Sequence, residues 1–130
     1  MFAGKKDIEK LGRLKKRSDF LCVQQKGRKW ISKAMVVEIR PNEDMGVRYG
    51  LTVSKKVSKL AVMRNRIKRR LRAVACDILP EYQGQNFDVV LIGRVGSQDR
   101  PYEDLQNDLR WCLRKMGIEK TGAHGEKTAD

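Results

Sequence analysis

The chain has 130 residues, of which 40% are hydrophobic, and it carries 29 Lys and Arg against 16 Asp and Glu. This length suits one domain with a single modest core, and the hydrophobic content excludes wholesale disorder. The net charge of +13 favours a polyanionic partner, for which nucleic acid is the commonest class and an anionic membrane surface the second.

The cysteines and the N-terminus indicate a cytoplasmic protein. Cys22, Cys76 and Cys112 are odd in number and widely spaced, which supports neither a disulfide framework nor a zinc site. Reduced thiols in the cytoplasm are the expectation. The first 17 residues contain no signal-peptide core, and no run approaches the roughly 18 apolar residues of a membrane span.

The first half of the chain predicts one helix followed by strands. Residues 1–12 are polar and expected to be flexible. A short helix is predicted over 18–25, with Ser18 or Asp19 as cap, Phe20, Leu21 and Val23 as apolar anchors, and Gly27 as its end. β-Branched residues predict a strand over 33–40, and strict alternation predicts a half-buried strand over 47–54. A further short strand is expected near 29–32.

The second half alternates helix, strand and helix. Apolar residues recur at helical spacing over 60–79, namely Leu60, Met63, Ile67, Leu71, Val74 and Ile78. Pro80 is expected to end this helix. A buried strand follows at 87–94, and a last helix runs from Pro101 to a stop at Gly117, with a flexible tail over 118–130. The predicted fold is α+β: a single-domain sandwich in the order αβββαβα.

The helix over 60–79 carries the strongest functional signal. The segment "AVMRNRIKRRLR" at 61–72 has five Arg, one Lys and no acid, and residues 45–76 hold ten cations without one carboxylate. With Ile67 facing the core, the cations fan over every other direction of the helix, and no Asp or Glu stands at i±3 or i±4 to pair with them. Guanidinium groups fork onto phosphate oxygens, so we expect an external polyanion to neutralise them.

These residues resemble a known signature. The stretch "RYGLTVSKKVSKLAVMRNRIKRRLR" at 48–72 closely resembles the protein subunit of bacterial ribonuclease P, whose strand ends in a "VSKK"-like segment and whose helix opens with "AVxRNRxKRxxR". The upstream "RLKKRSDF" at 13–20 resembles the first helix of the family. One departure is the loop at 57–60, which is one residue longer than usual and lacks the customary Gly.

The resemblance implies a topology and a function. The fold would be a mixed four-stranded sheet with a left-handed βαβ crossover, like domain 2 of ribosomal protein S5, whereas such connections are generally right-handed. The protein would be a cofactor of the ribonucleoprotein that removes the 5′ leader from precursor tRNA. Its partners would be the catalytic RNA and precursor tRNA, with Mg²⁺ acting in the RNA active site and no membrane involved.

The resemblance also implies two RNA-binding surfaces. The basic helix would contact the catalytic RNA through Arg64, Asn65, Arg66, Lys68, Arg69, Arg70 and Arg72. A groove between that helix and the exposed sheet face would hold the single-stranded leader, lined by Phe20, Arg48, Thr52, Ser54, Lys55 and Lys56. Plain core packing stays an alternative for Phe20, while Tyr49 is expected in the core, and Trp30 and Trp111 in the core or at a sheet edge.

The residues predict no catalytic centre within the protein itself. The only histidine, His124, lies in the tail, and no Ser–His or Cys–His arrangement is available for nucleophilic catalysis. The carboxylates Asp77, Asp88, Glu103, Asp104 and Asp108 are scattered, whereas a two-metal nuclease needs acids that converge. The alternatives are a structural RNA-binding protein, such as a ribosomal protein, and a DNA-binding helix protein, which usually reads bases along one face only.

Overall fold

A computed structural model describes residues 11–120, which form a five-stranded mixed sheet with three helices. The elements in chain order are β1 (Gly12–Arg13), α1 (Arg17–Lys26), β2 (Arg28–Ile31), β3 (Met35–Pro41), β4 (Val47–Thr52), α2 (Ala61–Ile78), β5 (Phe87–Gly93) and α3 (Tyr102–Lys115). A 3₁₀ turn, Leu79–Tyr82, follows α2. The α+β class and the predicted order from α1 onward are confirmed. Of the flexible ends predicted over 1–12 and 118–130, residues 1–10 and 121–130, with His124, lie outside the described residues.

The sheet has the strand order β1-β4-β5-β3-β2, with β1, β4 and β5 parallel and β3 and β2 antiparallel to their neighbours. The prediction of four strands was wrong, because Gly12 and Arg13 add a two-residue strand beside β4 where a flexible end was expected. Two residues show no periodicity from which a strand can be predicted. The pairing continues where Leu14 N donates to Tyr49 O at 2.8 Å.

Helix α2 connects the parallel neighbours β4 and β5, as the expected βαβ crossover requires. The left-handedness of this crossover stays a prediction. The predicted apolar stripe packs on the sheet through Ile67, Leu71, Val74 and Ile78, which are all fully buried. Gly93 on β5 permits this close approach, since a Cβ there would meet Ile67 Cγ2 at 2.8 Å. Burying each such side chain contributes roughly 1.5–3 kcal/mol.

The sheet separates two apolar clusters. The larger contains α2, α3 and the inward residues of β3, β4 and β5, among them Tyr49, which is 7% exposed as predicted. The smaller lies on the other face, where Leu14 and Val23 pack on Val90, with Phe20 at the margin. We call these the α2 face and the α1 face. Because strand residues alternate between faces, Arg48, Gly50 and Thr52 all belong to the α1 face.

Several predicted boundaries shift by one or two residues. Helix α1 starts at Arg17, so neither Ser18 nor Asp19 caps it, and its N-cap Lys16 makes no side-chain hydrogen bond. Two predicted anchors, Leu21 and Leu60, are exposed instead, at 38% and 63%. Leu60 immediately precedes α2, where few residues of the same helix flank it, and α1 buries only Val23.

The last helix ends as predicted, but the chain beyond it is packed. Gly117 has a positive φ of 83°, which favours glycine after a helix. Ile118 N then donates to Leu113 O at 2.9 Å, and the Ile118 side chain packs against the larger cluster. The flexibility predicted for 118–130 stays a prediction, although the first of these residues, Ile118, packs on the core.

Candidate RNA interfaces

The exposed side of α2 is a basic surface. Four side chains on it are exposed, namely Asn65, Arg66, Arg69 and Arg72, while Arg64, Lys68 and Arg70 are half-buried. The predicted fan of cations around the helix is therefore present, with Asn65 and Arg69 opposite the buried stripe as expected. The surface begins one turn after the loop that carries Lys55, Lys56 and Lys59, which are all exposed.

Within residues 11–120, no carboxylate forms an ion pair with this surface. The ion pairs within residues 11–120 are Arg48–Asp88, Arg100–Asp108, Arg110–Glu81 and Lys120–Glu81, and none uses a cation of α2. Asp77, the acid of this helix, instead accepts hydrogen bonds from Tyr102 and Gln106 of α3. The six cations of α2 therefore repel one another in the free protein, and phosphates would relieve that repulsion.

Two of the predicted RNA contacts have internal roles. The Arg70 guanidinium donates to three carbonyl oxygens, those of Ser97, Gln98 and Arg100, at 2.8, 2.7 and 2.5 Å. It thereby fastens the loop between β5 and α3 to α2, and fewer of its N–H groups remain for a phosphate. No local pattern in the sequence indicates this role, because a carbonyl acceptor is present at every residue.

Arg64 is held by the lengthened loop. Its Nη1 donates to Ser58 O at 2.8 Å, and Ser58 Oγ accepts from Leu60 N at 3.2 Å. Ser58 thus satisfies an amide at the start of α2 and orients the first arginine of the helix. The loop at 57–60, which is one residue longer than usual in the family and lacks its Gly, therefore still supports the start of α2 through Ser58.

We expect Arg70→Gln to destabilise the fold by about 2 kcal/mol, because three charge-assisted hydrogen bonds to backbone carbonyls are lost. Arg69→Gln is the matched control, since Arg69 is exposed and has no partner within residues 11–120. Urea unfolding of both variants measures the difference. Equal stability of the two variants would show that the Arg70 contacts contribute nothing.

The predicted leader-groove residues lie on the α1 face or in the loop after β4. The Phe20 ring lies over Gly50, where an added Cβ would meet its Cε2 at 2.6 Å and its Cζ at 2.7 Å. Across the sheet, Thr52, Ile92, Val36 and Ile31 stand in one row, because each pairs directly with the next. All four are partly or fully exposed, and they form an open shelf beside Phe20.

The wall of the predicted groove is α1, not α2. Helix α2 covers the opposite face of the sheet, so it cannot bound a groove that contains Phe20, Arg48 and Thr52. Strand alternation correctly grouped these polar residues on one face, but it carries no information about which helix covers that face. The two predicted RNA surfaces are thus back to back, apart from Ser54, Lys55 and Lys56 in the connecting loop.

Arg48 is paired within the groove. Its Nε donates to Asp88 Oδ1 and its Nη2 donates to Asp88 Oδ2, both at 2.8 Å. Asp88 is the residue that pairs with Arg48 in the register of β4 and β5. Asn42 Nδ2 donates to the same carboxylate at 2.8 Å. The hydrogen bond to Asp88 raises the pKa of Arg48 above its ordinary value. Arg48 is therefore a fixed part of the groove floor, and its charge is already balanced.

One acid in this face was not predicted as part of the groove. Glu38 is only 8% exposed, in the row formed by Gly50, Val90 and Lys29. Burial raises its pKa, and the nearby Lys29 ammonium partly opposes that rise. The strands of the α1 face therefore include one acidic side chain, Glu38, that the sequence did not assign to the groove.

Within residues 11–120, no three His, Cys, Asp or Glu side chains come together in a group that could hold a metal ion. None of the helices in that range is long and apolar enough to cross a membrane.

Comparison with known proteins finds a family whose model covers the residues of both surfaces. The family model described as Ribonuclease P matches residues 8–117. The ribonuclease P protein component of Paramagnetospirillum magneticum is 40% identical over 120 residues, covering 88% of this chain and 90% of the relative. That of Gluconacetobacter diazotrophicus is 44% identical over 107 residues, covering 82% and 91%.

Solved structures agree with the sequence matches. The RNase P protein of Staphylococcus aureus superposes with a TM-score of 0.69 at 30% identity, covering 82% of this chain and 95% of that one. The RNase P protein of Thermotoga maritima gives a TM-score of 0.67 at 28% identity, covering 78% and 96%. The likeness therefore extends over most of each protein.

Proposed function

Because the chain belongs to the ribonuclease P protein family, whose members serve an enzyme that processes the 5′ end of tRNA, we propose that α2 holds the catalytic RNA and the α1 face holds the leader. The observation that carries the first part is a helix with six cations and no internal carboxylate partner within the described residues. Phosphate contacts of this kind dominate protein–RNA affinity.

In this proposal the RNA supplies the chemistry and the protein supplies binding. Mg²⁺ ions held by the RNA would activate water and stabilise the leaving oxygen at the scissile phosphate. The protein would lower the repulsion between catalytic RNA and precursor tRNA by placing arginines between phosphates, so that less Mg²⁺ is needed to assemble the complex. A cytoplasmic location belongs to the same proposal.

The leader would bind on the shelf beside Phe20. An aromatic ring accepts any base by stacking, and the shelf of Thr52, Ile92 and Val36 offers a half-apolar surface for the sugar. Lys55 and Lys56 at the end of β4 would follow the backbone of the leader. This arrangement suits a substrate whose leader varies in sequence.

Reconstitution tests the function as a whole. The purified chain is added to a bacterial catalytic RNA at low Mg²⁺, and removal of the leader from a precursor tRNA is measured. We expect cleavage to rise strongly over the RNA alone. A structural RNA-binding protein, the remaining alternative, would leave cleavage unchanged even at concentrations that saturate the RNA.

The leader groove has its own test. Phe20→Ala should weaken binding of a long-leader precursor by about tenfold, since stacking contributes roughly 1–3 kcal/mol per base. A precursor with one leader nucleotide should bind unchanged. Gly50→Ala is the companion variant, because its methyl group displaces the Phe20 ring without removing it. Equal losses on both precursors would mean that Phe20 acts only through folding.

A further inference from the structure

A third surface lies at the free edge of β2; it does not include α2, and only Ile31 joins it to the shelf beside Phe20. Trp30 on β2 and Trp111 on α3 meet edge to face, with ring centroids 6.0 Å apart. They remain 38% and 36% exposed, which is unusual for the two largest side chains of a small domain. Lys115 Nζ lies 6.0 Å from the centroid of the Trp111 ring.

Trp111 lines two clefts. The first has a volume of about 390 Å³ and is bounded by Ile31, Lys33 and Arg94 together with Trp111. The second, of about 380 Å³, lies between Trp111, Arg110 and Arg114. Each volume is within the range typical of small-ligand sites, roughly 300–1,000 Å³. The indole therefore lines two clefts, and each of them contains basic side chains.

The charge of both clefts is positive. Asp108 lines the two clefts, but Arg100 donates to both of its oxygens, at 2.6 and 3.0 Å, and balances it. Lys33, Arg94 and Arg114 have no carboxylate partner within residues 11–120. Arg94 Nη1 donates to Ser32 O at 2.6 Å, which holds this guanidinium at the mouth of the first cleft.

The exposed indole and the unpaired cations together indicate which kind of molecule binds here. A second copy of the chain would bring Arg28 and Lys29 of one edge strand against the same residues of another, and like charges would repel. An acidic peptide would satisfy the cations but would leave the indole without a flat partner. A nucleotide satisfies both, because its base stacks on an aromatic face and its phosphates pair with arginine and lysine.

We propose that Trp111 and its flanking clefts bind an unpaired nucleotide of an RNA. The base stacks on the indole, one phosphate meets Lys33 and Arg94, and the neighbouring phosphate meets Arg114. The proposal deepens the function given above, since it presumes an RNA partner, but it uses no residue of the α2 surface and shares only Ile31 with the shelf beside Phe20.

Intrinsic fluorescence tests the proposal, because Trp30 and Trp111 are the only tryptophans in the chain. The full-length protein is titrated with a five-nucleotide uridylate. We expect saturable quenching that persists in Trp30→Phe, where Trp111 alone reports. Lys33→Glu should weaken binding at least tenfold, whereas Lys16→Glu, an equal charge change at the exposed N-cap of α1, should weaken it less than threefold.

Other outcomes overturn the proposal. Absence of quenching, or equal loss in Lys33→Glu and Lys16→Glu, would remove the site. Quenching by oligoglutamate but not by uridylate would assign the patch to an acidic protein partner. The variant Arg66→Ala/Arg69→Ala separates this inference from the proposed function: uridylate should still quench it fully. Failure of reconstitution with normal quenching would contradict the proposed function alone.

Discussion

Replacing Arg66 and Arg69 together by alanine is expected to weaken binding to the catalytic RNA by about 100-fold. Both side chains are exposed, three residues apart on α2, and have no internal partner within residues 11–120. Each lost charge-assisted contact costs about 1.5 kcal/mol, and about 1.4 kcal/mol is a factor of ten. The plot of log affinity against log salt should become shallower by roughly 1.4–1.8 units, as two phosphate contacts predict.

A charge-matched variant separates a local contact from a change in net charge. Lys16→Ala/Lys26→Ala also removes two exposed cations, but these lie at the two ends of α1, on the other side of the sheet. Its affinity for the catalytic RNA should stay within about threefold of wild type, because distant exposed charges are screened by salt. If the two double variants lose the same affinity and salt dependence, α2 is not the contact surface.

Asp88→Ala is expected to lower the free energy of unfolding by about 3 kcal/mol. The carboxylate is 2% exposed and accepts three hydrogen bonds, two from Arg48 and one from Asn42. Its removal leaves a partly buried guanidinium without a counter-charge, and breaking a buried pair from one side typically costs 3–5 kcal/mol. The low end applies here, since the Arg48 side chain keeps 19% exposure and relaxes toward water.

Urea unfolding measures this effect, with Glu43→Ala as the control for loss of an exposed acid from the adjacent turn. The double variant Arg48→Met/Asp88→Leu should be more stable than Asp88→Ala alone, because an apolar pair leaves no unpaired charge. If Asp88→Ala unfolds at the same urea concentration as Glu43→Ala, the pair contributes no stability to the groove floor.

Sequence periodicity was enough to predict most of the fold. The helical recurrence from Met63 to Ile78 and the alternation from Val47 to Val53 both survive in the structure, because each is a direct consequence of burying one side of an element. The basic surface was predictable for the same reason. Once Ile67 is fixed toward the core, the helix geometry alone exposes Arg66 and Arg69.

Features that depend on tertiary partners were not predictable. Nothing local marks Arg70 as bound to the loop at 97–100, or Arg48 as paired with an acid forty residues away. The wall of the groove was assigned to the wrong helix, because alternation defines the two faces of a strand without showing what covers each. The meeting of Trp30 and Trp111 likewise requires β2 and α3 to be neighbours.

The most direct test of the account is chemical modification of arginines by phenylglyoxal, mapped by mass spectrometry with and without the catalytic RNA. We expect Arg66, Arg69 and Arg72 to react rapidly in the free protein and to be protected in the complex. Arg48, held by Asp88, should react slowly in both. The account would be contradicted if these three α2 arginines reacted equally fast in the free protein and in the RNA complex.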